Sequence, residues 1–164
     1  VEADIVLHNE TEDLALVKLR SEEQYQHIAT LLPKDNGVQV MDESVAVGCS
    51  LGFPPLPTVG HITRLNIQIY SLPYHMSSAQ IIYGNSGGAM FMANTGELIG
   101  IPSRGVVIGW GTPITHMGLF VPIERIYAWL EEEHYDFIYD ETKTEKECLD
   151  LRRTEIEAKK KAQE

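Results

Sequence analysis

Residues 81–91 read Ile-Ile-Tyr-Gly-Asn-Ser-Gly-Gly-Ala-Met-Phe, and few folds accommodate such a segment. Glycine adopts backbone angles that other residues avoid, so a serine set among glycines can sit on a sharp turn with its hydroxyl exposed. The N–H groups of Gly84 and Ser86 can then converge on one point and stabilise an oxyanion. That is the geometry a serine nucleophile needs. Taken alone, G-N-S-G-G also fits a glycine-rich hairpin turn with an incidental serine. The same spacing occurs in α/β-hydrolases, where a helix follows the serine. Here two short apolar runs, 89–93 and 97–101, flank an Asn-Thr-Gly turn. That pattern predicts a β-hairpin and an all-β fold.

The rest of the chain agrees with short strands. Residues 4–8 and 13–19 alternate or run apolar around the polar turn 9–12, with Asp13 at the mouth of the second strand. Residues 20–43 are polar and mixed, punctuated by Pro33 and Asn36-Gly37, with a helical turn expected within 22–32. Residues 43–49 read as a buried strand. Residues 51–57 carry three prolines and read as an irregular loop. Residues 58–70, 105–109 and 117–121 read as further strands. Pro122 suits a first helical position, and Ile123, Ile126, Tyr127 and Leu130 then share a face, which predicts a helix over about 122–134. One helix after many strands fits a β-barrel domain.

Charge separates the body from the tail. Of 24 acidic and 13 basic residues, 16 acidic but only 6 basic ones precede Asp140. The net charge of -11 argues against a nucleic-acid partner, which needs clustered Lys and Arg. No apolar run is long enough for a membrane span, so no membrane partner is expected. Cys49 and Cys148 sit in unlike settings and suggest no disulfide framework, which favours a reducing compartment. Residues 140–164 alternate Glu and Lys at helical spacing. They read as an exposed helix that docks on a protein partner, or as a solvated terminus. No metal site or cofactor is expected.

Three ordered segments resemble the trypsin-like (chymotrypsin-fold) serine proteases, most closely the bacterial high-temperature-requirement-type branch. Glu12-Asp13-Leu14-Ala15-Leu16-Val17-Lys18-Leu19 is similar to the segment bearing that family's aspartate. Residues 45–53 with 59–66 look like the first hairpin of its second barrel. Tyr83-Gly84-Asn85-Ser86-Gly87-Gly88, with residues 96–101, resembles its nucleophile hairpin. Gly118-Leu119-Phe120-Val121-Pro122-Ile123 is a further match to the last strand entering the closing helix. The implied fold is all-β: the second barrel of a trypsin-like double barrel plus remnant strands of the first, a C-terminal helix and a helical tail. Residues 1–138 would be the protease domain, with 1–43 the first-barrel remnant and inter-barrel segment and 44–138 the second barrel and closing helix. Residues 139–164 would be tail or linker.

The resemblance also implies roles. Ser86 would be the nucleophile, Asp13 the carboxylate that orients a histidine, and Gly84 and Ser86 the oxyanion donors. Ser103, Arg104 and Gly105 would form the strand edge that pairs with a polypeptide substrate. Gly105 and Gly118 would lie near the specificity pocket and Gln80 at its base, giving a pocket for small or medium apolar side chains. The family's histidine lies well upstream of its aspartate. Of His8, His27, His61, His75, His116 and His134, only His8 precedes Asp13, at a position that resembles an ordinary strand end. The expectation is therefore a fragment, with the histidine encoded before Val1, that acts in the intact protein as an endopeptidase. The rivals are an inactive protease-like scaffold with an assembly or binding role and, more remotely, an esterase. An incomplete first barrel would also leave an apolar face open to a protein partner.

Overall fold

The computed structural model describes residues 1–162, which fall into two compact units, Val1–Ile123 and the described residues from Glu124 onward. The first unit begins with a two-stranded antiparallel sheet, β1 (Ala3–Asn9) and β2 (Leu14–Leu19). The Asn9 side chain shapes the turn between them, its Oδ1 accepting from the N–H groups of Thr11 at 2.9 Å and Glu12 at 3.0 Å. This Asx-type turn ends at Asp13, whose φ of 56° lies in the left-handed region. Leu7 and Leu14 are buried, whereas Ile5 (70% exposed), Val17 (52%) and Leu19 (45%) are open. A lone two-stranded ribbon is marginal in water, so the first-barrel remnant expected from the sequence leaves the expected apolar face uncovered.

The second assembly is a closed six-stranded barrel in the order β3-β4-β5-β8-β7-β6. Its strands are β3 (Glu43–Gly48), β4 (Leu56–Ile69), β5 (Leu72–Ser77), β6 (Ala89–Met92), β7 (Leu98–Ile108) and β8 (Thr112–Pro122). The all-β expectation holds. Ala46, Ile62, Tyr74, Met90, Ile99, Phe120 and Val121 are buried, on one face of the barrel wall or the other. The six strands close on one another, so only stretches that outrun their neighbours are left unpaired. Ser44 and Ser77, both buried, satisfy each other at 2.9 Å.

Three local readings change. No helix forms within 22–32; that stretch is irregular and joins the barrel through backbone bonds from Leu98 N–H to Thr30 and from Leu32 N–H to Leu98. Proline does not keep residue 57 out of a strand, since Pro57 pairs with Val47 near the start of β4. A whole strand, β5, was not legible. The turn that creates it, Tyr70-Ser71, places two non-glycine residues at φ 49° and 67°, without the Asn-Gly signal such turns usually carry.

The second unit holds nearly all of helix α1 (Ile123–Glu132), a 3-10 turn over Asp136–Ile138, and helix α2 (Glu145–Lys161). α2 bears out the helical tail. Thr144 caps it: its Oγ1 accepts from Glu147 N–H at 3.3 Å and donates to the Glu147 carboxylate at 2.6 Å, an N-cap. Within this unit Tyr127 meets Tyr139 edge-on at 4.7 Å, and Arg152 pairs with Glu133 at 2.7 Å. No helix among the described residues is long and apolar enough to cross a membrane.

Candidate active site

The turn carrying Ser86 is held from both sides by backbone hydrogen bonds. Asn85 N–H donates to Ile82 at 3.1 Å, Gly88 N–H to Asn85 at 2.9 Å, and Gly87 N–H to Pro102 of β7 at 2.9 Å. Leu51 N–H donates to Tyr83 at 2.8 Å, tying the turn to the short 3-10 segment Ser50–Gly52 between β3 and β4. Gly84 has φ 98°, and a Cβ there would lie 2.2 Å from the Cys49 carbonyl oxygen, so no other residue fits. Ser86 stands exposed at the crest.

Beneath the crest, Asn85 is fully buried and its Oδ1 accepts from Ser50 Oγ at 2.5 Å. Its Nδ2 has no partner among the described residues. Sequence reading missed this anchor, because its partner lies 35 positions away and no local pattern joins the two.

The Ser86 hydroxyl donates to the Ser103 carbonyl at 3.2 Å, and the Ser103 hydroxyl donates to the Asp13 carboxylate. Ser86, Ser103 and Asp13 thus form one polar path from barrel to hairpin. His8, Asp13, Leu14, Ser86, Gly87 and Ser103 are among the residues that line a cleft of about 760 Å³. The expected nucleophile and carboxylate therefore share one cavity. Ser103, expected only as a strand-edge residue, also lies between them.

The other histidines are elsewhere. His75 is buried, its Nδ1 accepts from Asn66 N–H at 3.2 Å, and its ring meets Phe120 edge-on. His27, His61 and His116 are exposed and line none of the cavities beside Ser86. His134 belongs to the second unit and faces Glu155 at 3.0 Å. Among the described residues, His8 is the one histidine that lines the cleft.

A second, smaller pocket of about 170 Å³ opens beside Ser86. Ile81, Ile82, Tyr83, Arg104, Gly105, Val107 and Pro113 contribute to its wall. Gly105 and Arg104 thus lie on β7 and line this pocket. Gly118 is buried, and a Cβ on it would strike Ile81 side-chain atoms at 2.5–2.8 Å. Ile81 therefore occupies the space that Gly118 vacates. Gln80 is exposed and lies outside the lining; its carbonyl accepts from Thr58 Oγ1 at 2.9 Å. Among the described residues, no group of three or more His, Cys, Asp or Glu side chains is arranged to hold a metal ion.

A family model for the trypsin-like peptidase domain matches residues 1–101. The chain is 31% identical over 140 residues to the magnetosome formation protease MamE of Paramagnetospirillum magneticum, covering 78% of this chain and 18% of that protein. It is 26% identical over 140 residues to the serine protease HTRA1 of Xenopus tropicalis, covering 81% of this chain and 28% of that one. Among solved structures it resembles the HtrA-type protease AlgW with decapeptide, at TM-score 0.67 and 24% identity over 81% of this chain and 41% of the other. The likeness to AlgW with tripeptide has TM-score 0.60 and 23% identity over 75% of this chain and 40% of the other. Those two likenesses concern the fold. The chain spans less than a third of the length of either curated relative.

Proposed function

The chain belongs to the trypsin-like peptidase family, and from that membership we propose that it is the nucleophile-bearing part of a serine endopeptidase. It cleaves peptide bonds through an acyl-enzyme on Ser86. The observation that supports this most is the path from Ser86 through Ser103 to Asp13 along one cleft. An imidazole seated in that cleft takes the Ser86 proton as Oγ attacks the substrate carbonyl. The N–H groups of Gly84 and Ser86 receive the oxyanion. The imidazolium then protonates the leaving amine, and water reverses the sequence to release the acid. Asp13 holds the imidazole in its working tautomer. In this reading the imidazole belongs to sequence outside residues 1–164, because His8 is the one histidine lining the cleft and it lies on β1, only five positions before Asp13.

The test compares two proteins on an unfolded polypeptide substrate. The complete gene product containing this sequence is expected to hydrolyse it and to label with a fluorophosphonate; Ser86→Ala abolishes both. Asp13→Asn lowers the rate by about 10⁴-fold. Residues 1–164 alone are expected to be inactive, with or without His8→Ala. Hydrolysis by the 164-residue chain that disappears with His8→Ala makes His8 the base. A complete product that binds polypeptide but neither labels nor cleaves identifies a protease-like scaffold instead.

A further inference from the structure

Arg104 is the one charged residue among those that line the small pocket beside Ser86, and its side chain reaches to Tyr74. It is exposed, yet it is held in place. Its Nε donates to the Tyr74 hydroxyl at 3.3 Å, and its guanidinium carbon lies 5.5 Å above the Tyr74 ring. Tyr74 is 1% exposed, so the ring is a fixed platform. Stacking on an aromatic face orients a guanidinium at little cost in side-chain entropy. One of its five N–H donors is engaged; the other four have no hydrogen-bond partner among the described residues. Among the described residues no carboxylate comes within ion-pair distance of it, and the Asp13 charge acts on it only from farther off. In a body where acidic residues outnumber basic ones 16 to 6, this arginine is not part of a general basic surface.

Its backbone setting fixes what it faces. On one side Arg104 and Gly105 pair with Leu119 and Gly118 of β8. On the other side, pairing with β6 extends no further than Gly100, and Gly87 N–H bonds Pro102. Beyond Pro102 that side of β7 is open, and an extended peptide adds there as a strand. When the attacked residue lies opposite Ser103, the residue before it lies opposite Arg104. Directly opposed residues of an antiparallel pair project to the same face with Cβ atoms about 4.5–5.5 Å apart.

Resting on the reading of Ser86 as nucleophile, we infer that Arg104 selects peptides with a carboxylate side chain immediately before the attacked residue. The carboxylate completes the guanidinium fork by two parallel N–H···O bonds. The attacked residue itself presents a small apolar side chain to the pocket that Ile81 fills in part. Acid selection and apolar selection are therefore assigned to neighbouring substrate positions.

Binding of short peptide amides to the 164-residue chain, followed by NMR titration, tests this without requiring turnover. Acetyl-Ala-Asp-Val amide is expected to bind about three- to fivefold tighter than acetyl-Ala-Asn-Val amide, the range of an exposed charge pair. Acetyl-Ala-Lys-Val amide binds weakest, and 0.5 M NaCl narrows the spread. Arg104→Gln erases the preference, and Arg104→Glu makes the Lys peptide the tighter ligand. Both variants lose the bond to Tyr74, so each is checked for a cooperative melt, and the peptide preference is read only on the folded variant. Equal binding of the three peptides overturns the inference while leaving the cleft reading intact. So does an Asp preference that survives Arg104→Gln, or tighter binding of acetyl-Ala-Val-Asp amide. If no peptide of the set shifts resonances of Ser86 or Ser103, the cleft reading fails and carries the inference with it.

Discussion

Ser86 is held up by a residue that never touches solvent. Asn85 fills the space under the turn and takes the Ser50 hydroxyl, so its loss strands a buried donor and opens a void at once. Asn85→Ala is expected to cost about 1–3 kcal/mol, read as a lower denaturation midpoint with an unchanged slope. Ile81 sets the depth of the pocket from the other side. Ile81→Ala removes side-chain volume over Gly118, so a peptide-library profile of the complete protein is expected to shift toward larger apolar residues. The gain is about 1–3 kcal/mol per added methylene. At this scale much of the site was legible. Gly-Asn-Ser-Gly-Gly is a local pattern with local backbone consequences, and Asp13 stands at a strand mouth in both sequence and structure. Asn85's anchor and the depth set by Ile81 were not, because they arise from residues that meet only after the barrel closes. Gln80 shows the same limit: counting back from the serine does not say which way a loop turns its side chains.

Elements differ in how much of their stability their own sequence encodes. α2 announces itself through Thr144-x-x-Glu147, and Thr144→Ala is expected to remove about 1 kcal/mol of helix stability, seen as reduced ellipticity at 222 nm. β5 carried no such announcement, since its turn relies on tertiary pairing to hold Tyr70 and Ser71 at positive φ. The expected helical turn within 22–32 yielded to two backbone bonds with Leu98, a long-range pairing that outweighs weak local preference. In the second unit, Asp136 couples the 3-10 turn to α2. Burial pushes its carboxyl up, but the Lys143 ammonium and then the Cys148 thiol outweigh that and hold it below the usual value of 3.8. A carboxyl with a depressed folded-state pKa stabilises fully above its unfolded value and loses that contribution as pH falls through the folded one. Melting of this unit is therefore expected to be flat from pH 7 to about 5 and to drop below about pH 3.8. Asp136→Asn is expected to lower the pH 7 value and shrink the acid-side drop.

Across the whole molecule, the two-stranded ribbon and the closed barrel have different claims to independence. The barrel closes on itself, whereas the ribbon exposes Ile5, Val17 and Leu19 together. Such a patch drives association, and the paired change Ile5→Lys with Val17→Lys is expected to raise the monomer fraction of the 164-residue chain in light scattering. Deleting residues 140–164 is expected to leave the barrel's cooperative melt in place, because none of its strands draws on that segment. The division of labour at the cleft has a practical corollary. Ser86 and Gly84, the proposed nucleophile and oxyanion donor, are anchored wholly on the barrel, Asp13, the proposed orienting acid, rides on the ribbon, and the two meet through Ser103. On the proposed reading the complete protein is a natural split reporter: its N-terminal part, carrying the imidazole and the ribbon, and its barrel, fused separately to two other proteins, would turn peptide cleavage into a record of whether those proteins had met.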